Sequence, residues 1–201
     1  MKNNSQPIEP KPWMDDLGFE GFQQYLAKSR CYLEYGCGGS TIYACCVANV
    51  DVVISVDSDN SWIRNVIDSL IKPIGVLLIQ HCDIGEVGEW GVPKSNERIN
   101  DFWNYMALPW RIAKANNKHP DLVLIDGRFR VASFLFSLIS ARVGTVIMFD
   151  DYMDRSEYFV CEEFCRLQCA HGRLGIFIVS DKYNIIDLCE KLAQYSILWD
   201  A

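Results

Sequence analysis

Six short apolar runs, most of them followed by a stretch of helical length, constrain the fold of this chain more than any other feature. They are CYLEY at 31–35, VVISVD at 52–57, IGVLLIQ at 74–80, LVLIDG at 122–127, TVIMFD at 145–150 and GIFIVS at 175–180. Their apolar residues are nearly continuous instead of alternating with polar ones, as expected where helices cover both faces of a sheet. Helical stretches between strands predict right-handed crossovers, hence an α/β single domain with a mostly parallel sheet flanked by helices. Helices are expected over 13–25, after the glycines at 36–39, and over 60–71, part of 98–117, 130–141, 155–169 and 184–197. Pro73 should stop the third and Pro109 should break or bend the fourth. Residues 1–12, with three prolines, read as a flexible N-terminal arm, and 13–201 as the folded domain.

Charge and cysteine content exclude several classes. With 26 acidic and 19 basic residues the net charge is -7, which disfavours a broad nucleic-acid surface. Nine cysteines are an odd number, and the N-terminal segment lacks the apolar centre of an export signal. Free thiols and a cytoplasmic location are therefore expected. No apolar run reaches the roughly 18 residues of a membrane span. Cys161, Cys165 and Cys169 share one face of the expected 155–169 helix, so with His171 they read as packing and not as a zinc knuckle. The aromatic N-terminal stretch and Tyr195, Ile197, Leu198 and Trp199 exceed what one core covers, which suggests a homo-oligomer.

The polar residues of interest fall at strand ends. In an open α/β sheet, ligands bind outside the carboxyl ends of the strands, near a topological switch. The first strand runs into Glu34-Tyr35-Gly36-Cys37-Gly38-Gly39-Ser40, a glycine turn without the longer GxGxxG spacing. The second ends in Asp57, 21 residues after Gly36, where a carboxylate can accept hydrogen bonds from both hydroxyls of a ribose. His81 and Asp83 follow the third strand, His81 as a candidate general base and Asp83 as a candidate contact to an adenine. The GEWG segment at 88–91 is a candidate lid. Arg128 and Arg130 follow the fourth strand and Arg155 comes later. With Arg111 and Lys114 as further basic residues, these are candidates for binding a small anionic substrate.

In EYGCGGS at 34–40 and VISVDSD at 53–59, the chain resembles the class I S-adenosylmethionine-dependent methyltransferases, through element order over most of 30–180. The resemblance implies a Rossmann-like domain, S-adenosylmethionine as cofactor, and a cofactor site comprising Glu34, Gly36, Gly38, Gly39, Asp57 and Asp83. A narrower resemblance is to metal-dependent small-molecule O-methyltransferases, whose carboxylates follow the fourth and fifth strands. It implies Asp126, Asp150 and Asp151 as ligands for magnesium or manganese, Asp126 also being catalytic, although Asp150-Asp151 stands where that family often has Asp-Asn. The expected activity is methyl transfer to a small hydroxylated acceptor. The alternatives are a non-catalytic cofactor-binding module and a nucleotide or nucleotide-sugar enzyme.

Overall fold

The structure, a computed structural model, describes residues 7–48 and 50–199, so the first half of the expected arm, 1–6, lies outside the described residues. Seven strands form one sheet: β1 Cys31–Tyr35, β2 Val52–Asp57, β3 Val76–His81, β4 Leu122–Ile125, β5 Val146–Phe149, β6 Leu167–His171 and β7 Leu174–Ile178. Six α-helices accompany them: α1 Asp16–Leu26, α2 Gly39–Cys46, α3 Asn60–Asp68, α4 Trp103–Ala115, α5 Arg130–Ser140 and α6 Ile185–Tyr195. The strand order is β3-β2-β1-β4-β5-β7-β6. The first five strands are parallel, and β7 runs antiparallel to both β5 and β6. Successive strands are added outward from β1 in one direction and from β4 in the other, which makes a topological switch between the carboxyl ends of these two parallel strands.

Burial explains the continuous apolar runs. Every residue of β1, β2 and β4 is buried. Leu33, Tyr35, Val123, Ile125 and Phe149 pack in one core with α4 and α5. Tyr32, Val53, Leu124 and Met148 turn to the other face, against Phe22 and Leu26 of α1 and Ala44 and Cys45 of α2. Edge strand β3 is largely exposed or half-buried instead.

Local chemistry sets several boundaries. α1 starts three residues later than its aromatic pattern suggests, because Asp15 caps it by accepting from Gly18 N at 2.6 Å. Asp59 caps α3 through Ser61 N at 2.8 Å and Trp62 N at 3.1 Å. Pro109 does not end α4; it lies buried inside the helix. Its missing N–H would have served the Tyr105 carbonyl, and one residue along Tyr35 Oη donates to the Met106 carbonyl at 2.7 Å.

The expected 155–169 helix is corrected. Ser156–Glu163 is a run of 3-10 turns, and Leu167–His171 is a strand in an antiparallel hairpin with β7. Gly172, at φ +56°, makes the hairpin turn. Cys161 and Cys165 are buried, whereas Cys169 is exposed on β6, so the three do not share a helical face. At the C-terminal end, Tyr195 and Trp199 pack against the core while Ile197 and Leu198 are exposed. Among the described residues, no helix is long and apolar enough to cross a membrane.

Candidate active site at the strand ends

The glycine turn is rigidly supported from below. Gly36 has φ +86°, and a Cβ there would come within 2.9 Å of Gly127 Cα, so the β1 and β4 turns touch backbone to backbone at the switch. Glu34 is fully buried beneath the turn. Its Oε2 accepts from Tyr32 Oη and Ser40 Oγ at 2.8 Å each, and its Oε1 accepts from Thr41 Oγ1. Burial raises its carboxyl above the ordinary range, and the hydroxyl donors oppose the rise. The expectation that Glu34 contacts the cofactor is corrected: its oxygens are turned inward, fastening the first turn of α2. The segment 7–12 crosses the turn from outside. Ile8 N donates to Ser69 Oγ at 3.0 Å, and a Cβ on Gly39 would collide with the Lys11 carbonyl.

Asp57 ends β2 beside this turn. Its Oδ2 accepts from Cys37 N at 3.0 Å and its Oδ1 from Asp59 N at 2.9 Å. Each oxygen thus retains capacity for one further donor. Burial raises this carboxyl too, against the pull of the two backbone donors. Trp62 Nε1 donates to the Cys37 carbonyl at 2.6 Å, tying α3 to the turn.

The end of β3 holds two of the expected residues, in unlike settings. His81 Nε2 lies 3.0 Å from the Ser58 carbonyl, an acceptor, so that nitrogen carries the proton. In the order β3-β2-β1-β4, three strand spacings, about 14 Å, separate it from the end of β4. His81 and Asp126, expected as separate catalytic candidates, are not brought together. Asp83 is exposed, accepts from Gly85 N at 3.0 Å and pairs with Arg98 at 3.2 Å. The Gly85 donor first and Arg98 second hold its carboxyl below the ordinary range. In the GEWG segment the Gly91 carbonyl accepts from Ser58 Oγ at 3.0 Å, while Trp90 is exposed at φ +59°.

The ends of β4 and β5 carry a charge network. Arg130, nearly buried, reaches Asp126 Oδ1 and Asp151 Oδ2 at 3.1 Å each and donates to the Asp150 carbonyl at 2.8 Å. Arg173 from the β6–β7 turn meets Asp150 through two nitrogens, at 3.0 and 3.1 Å, and Asp151 at 3.2 Å. Arg155 lies 3.5 Å from Asp151. Three arginines thus match three aspartates, and the expected metal site at Asp126, Asp150 and Asp151 does not fit. A hard cation needs converging carboxylate oxygens, and here most of those oxygens face guanidinium groups. Among the described residues, no group of three His, Cys, Asp or Glu side chains is disposed to hold a metal ion. Arg130 is likewise corrected from a substrate contact to an internal tie.

Two groups of this region stay available. Burial, and secondarily the neighbouring Asp150, push the Asp126 carboxyl well above the usual range, against the pull of Arg130. Arg128 has no ion pair, and its buried Nε has no hydrogen-bond partner among the described residues. Burial and the adjacent Arg130 depress its basicity. Its own N–H donates to Tyr105 Oη at 3.3 Å. Phe129 and Asp151, at φ +52° and +59°, hold left-handed conformations just past β4 and β5, strain of a kind that clusters at functional sites. Arg111 and Lys114 are not part of this cluster; they line a separate cavity beside α4.

Sequence reasoning did not single out Arg173 or Tyr105. The glycine before Arg173 was a usable hairpin signal, but the expected helix concealed it. Tyr105 sits within a helix whose apolar face gives no hint of a hydroxyl beneath the Gly127 backbone.

No protein-family model matches the sequence, and no curated protein matches it. Among solved structures, the chain is similar to a methyltransferase-like protein from Silicibacter pomeroyi DSS-3: 30% identity and TM-score 0.84, covering 94% of this chain and 98% of that one. It also aligns with the T. thermophilus 16S rRNA methyltransferase RsmC, solved with AdoMet and guanosine, at 13% identity and TM-score 0.42, over 81% of this chain and 39% of that one. That second likeness is too slight to bear argument. The first spans nearly the whole of both chains, and with the strand order and glycine turn described above it shows that the chain belongs to the class I S-adenosylmethionine-dependent methyltransferase family.

Proposed function

We propose that the protein methylates a hydroxyl group on a small acceptor that also carries a negative charge. The carrying observation is the neighbourhood at the end of β4: a raised carboxyl on Asp126, next to an arginine, Arg128, whose buried Nε is unpartnered. An unsatisfied buried donor is costly unless a ligand meets it.

The residues present fit the cofactor. Gly38, where an added Cβ would meet only the Trp62 ring at 3.9 Å, leaves the turn open for the cofactor's methionine portion, while Gly36 and Gly39 allow close packing against Gly127 and the Lys11 carbonyl. Asp57 accepts the ribose hydroxyls with the capacity its backbone donors leave, and exposed Asp83 stands at the adenine end. Glu34 acts indirectly, by holding Ser40 and Thr41. The bound cofactor supplies a methyl group on a positively charged sulfur, so the electrophile arrives ready-made.

The chain's residues then orient the acceptor and receive its proton. Arg128 binds the acceptor's anionic group by charge-assisted hydrogen bonds, with Arg155 at the half-exposed rim as a second contact. As the acceptor oxygen takes the methyl group, its proton passes to Asp126 Oδ2, the oxygen not engaged by Arg130. Arg130 and Arg173 keep the three aspartates in place, and no divalent cation is invoked.

Incubation with an isotopically labelled methyl donor and fractionated metabolites, followed by mass spectrometry, identifies the acceptor. With it, Arg128→Gln is expected to raise KM about tenfold or more while leaving cofactor affinity unchanged. An unchanged KM, or a methylated product lacking any anionic group, would contradict the reading.

A further inference from the structure

Several basic residues outside the strand-end network lie at the opposite pole of the sheet. A cavity of about 450 Å³ opens between the carboxyl ends of α4 and α5, with Arg111, Lys114, Lys118 and Arg142 around it and Trp110 and Phe136 in its walls. β4 separates this cavity from the cofactor crevice: four residues at roughly 3.3 Å each, about 13 Å. All four cations are exposed, and none forms an ion pair among the described residues. Lys114, Lys118 and Arg142 thus stand together without an ion pair, on a chain of net charge -7.

The acids nearest in sequence are engaged elsewhere. Asp121 accepts from Ser29 Oγ at 2.5 Å and from Arg30 N at 3.0 Å, and Asp101 pairs with Arg98. The rim is also well fixed. Asn117, at φ +51°, ends α4 in a Schellman arrangement, with Asn117 N donating to the Lys114 carbonyl at 3.1 Å and Lys118 N to the Ala113 carbonyl at 2.8 Å. Arg111 turns its guanidinium away from the other three cations, over the Trp103 ring at 4.5 Å from its centroid, and donates to Asn104 Oδ1 at 3.2 Å. The two C-terminal helix ends attract cations, but one at each would meet that need; three around this cavity exceed it.

We propose that this cavity is a second binding site, for a small organic phosphate whose anionic end meets Lys114, Lys118 and Arg142 and whose apolar part lies against Trp110 and Phe136. Its volume falls in the range of small-molecule sites. It is independent of methyl transfer and of the cofactor crevice.

Calorimetric titration of the full chain with phenyl phosphate, with inorganic phosphate, and with a single-stranded oligoribonucleotide tests this. Phenyl phosphate is expected to bind saturably and more tightly than inorganic phosphate. The Lys118→Glu/Arg142→Glu variant is expected to weaken it by about tenfold or more, the loss of one or more charge-assisted contacts. Both side chains are exposed, so circular dichroism and S-adenosylmethionine titration of the variant should match the parent. Saturable binding that survives the double substitution would overturn the proposal, as would no binding of either phosphate. Variant-sensitive binding of the oligoribonucleotide alone would overturn it in favour of a nucleic-acid surface.

Discussion

Glu34 illustrates how a motif residue can serve a site without touching a ligand. Its position one step before Tyr35-Gly36 is legible in the sequence, but its orientation is not: strand alternation points it beneath the turn, where Tyr32, Ser40 and Thr41 supply hydroxyls. A consequence is measurable. Because burial raises the Glu34 carboxyl, its contribution to stability is complete below the unfolded value of about 4.3 and is lost as pH rises through the higher folded value. Glu34→Gln keeps the shape and removes the titration. The variant's stability relative to the parent should therefore improve as pH rises above the unfolded value, in chemical denaturation. Parallel pH profiles for the two proteins would refute this account of Glu34. Arg128 and Arg130 teach a related lesson: two residues apart and alike in sequence, they differ because Arg130 pairs with Asp126 and Asp151 while Arg128 has no ion pair among the described residues.

At the scale of elements, β1, β2, β4 and β5 were legible because burial on both faces imposes continuous apolar runs. The β6–β7 hairpin was hidden. Cysteines at 161, 165 and 169 mimic helical spacing, while the strand Leu167–His171 is mostly exposed and lacks a strong apolar pattern. That hairpin matters because its turn delivers Arg173 to Asp150, which is 1% exposed. Arg173 N also donates to Asp15 Oδ2 at 2.9 Å, joining the hairpin to the cap of α1. Arg173→Gln leaves Asp150 buried with its charge uncompensated and is expected to destabilise the fold by about 3 kcal/mol. Adding Asp150→Asn should recover part of that loss, since the stranded charge is then gone. A single-variant loss under about 1 kcal/mol in urea denaturation would mean the pair is not a structural tie.

For the whole molecule, the single α/β domain with a mostly parallel sheet followed from element order, and the similarity to the Silicibacter pomeroyi methyltransferase-like protein agrees with it. The metal expectation did not survive, since spacing brings carboxylates to neighbouring strand ends but says nothing of arginines arriving from α5 and the hairpin. Net charge concealed local clusters too: Arg128, Arg130, Arg155 and Arg173 lie at the strand ends, and Lys114, Lys118 and Arg142 at the opposite pole. The central claim is that the glycine turn and Asp57 form an S-adenosylmethionine site, and calorimetric titration of the folded protein with S-adenosylmethionine tests it most directly. The account predicts saturable binding at one site, weakened about tenfold or more in Asp57→Asn, which retains only one of the two carboxylate acceptors. Folded protein that binds neither S-adenosylmethionine nor its demethylated product, or an Asp57→Asn variant with parental affinity, would contradict it.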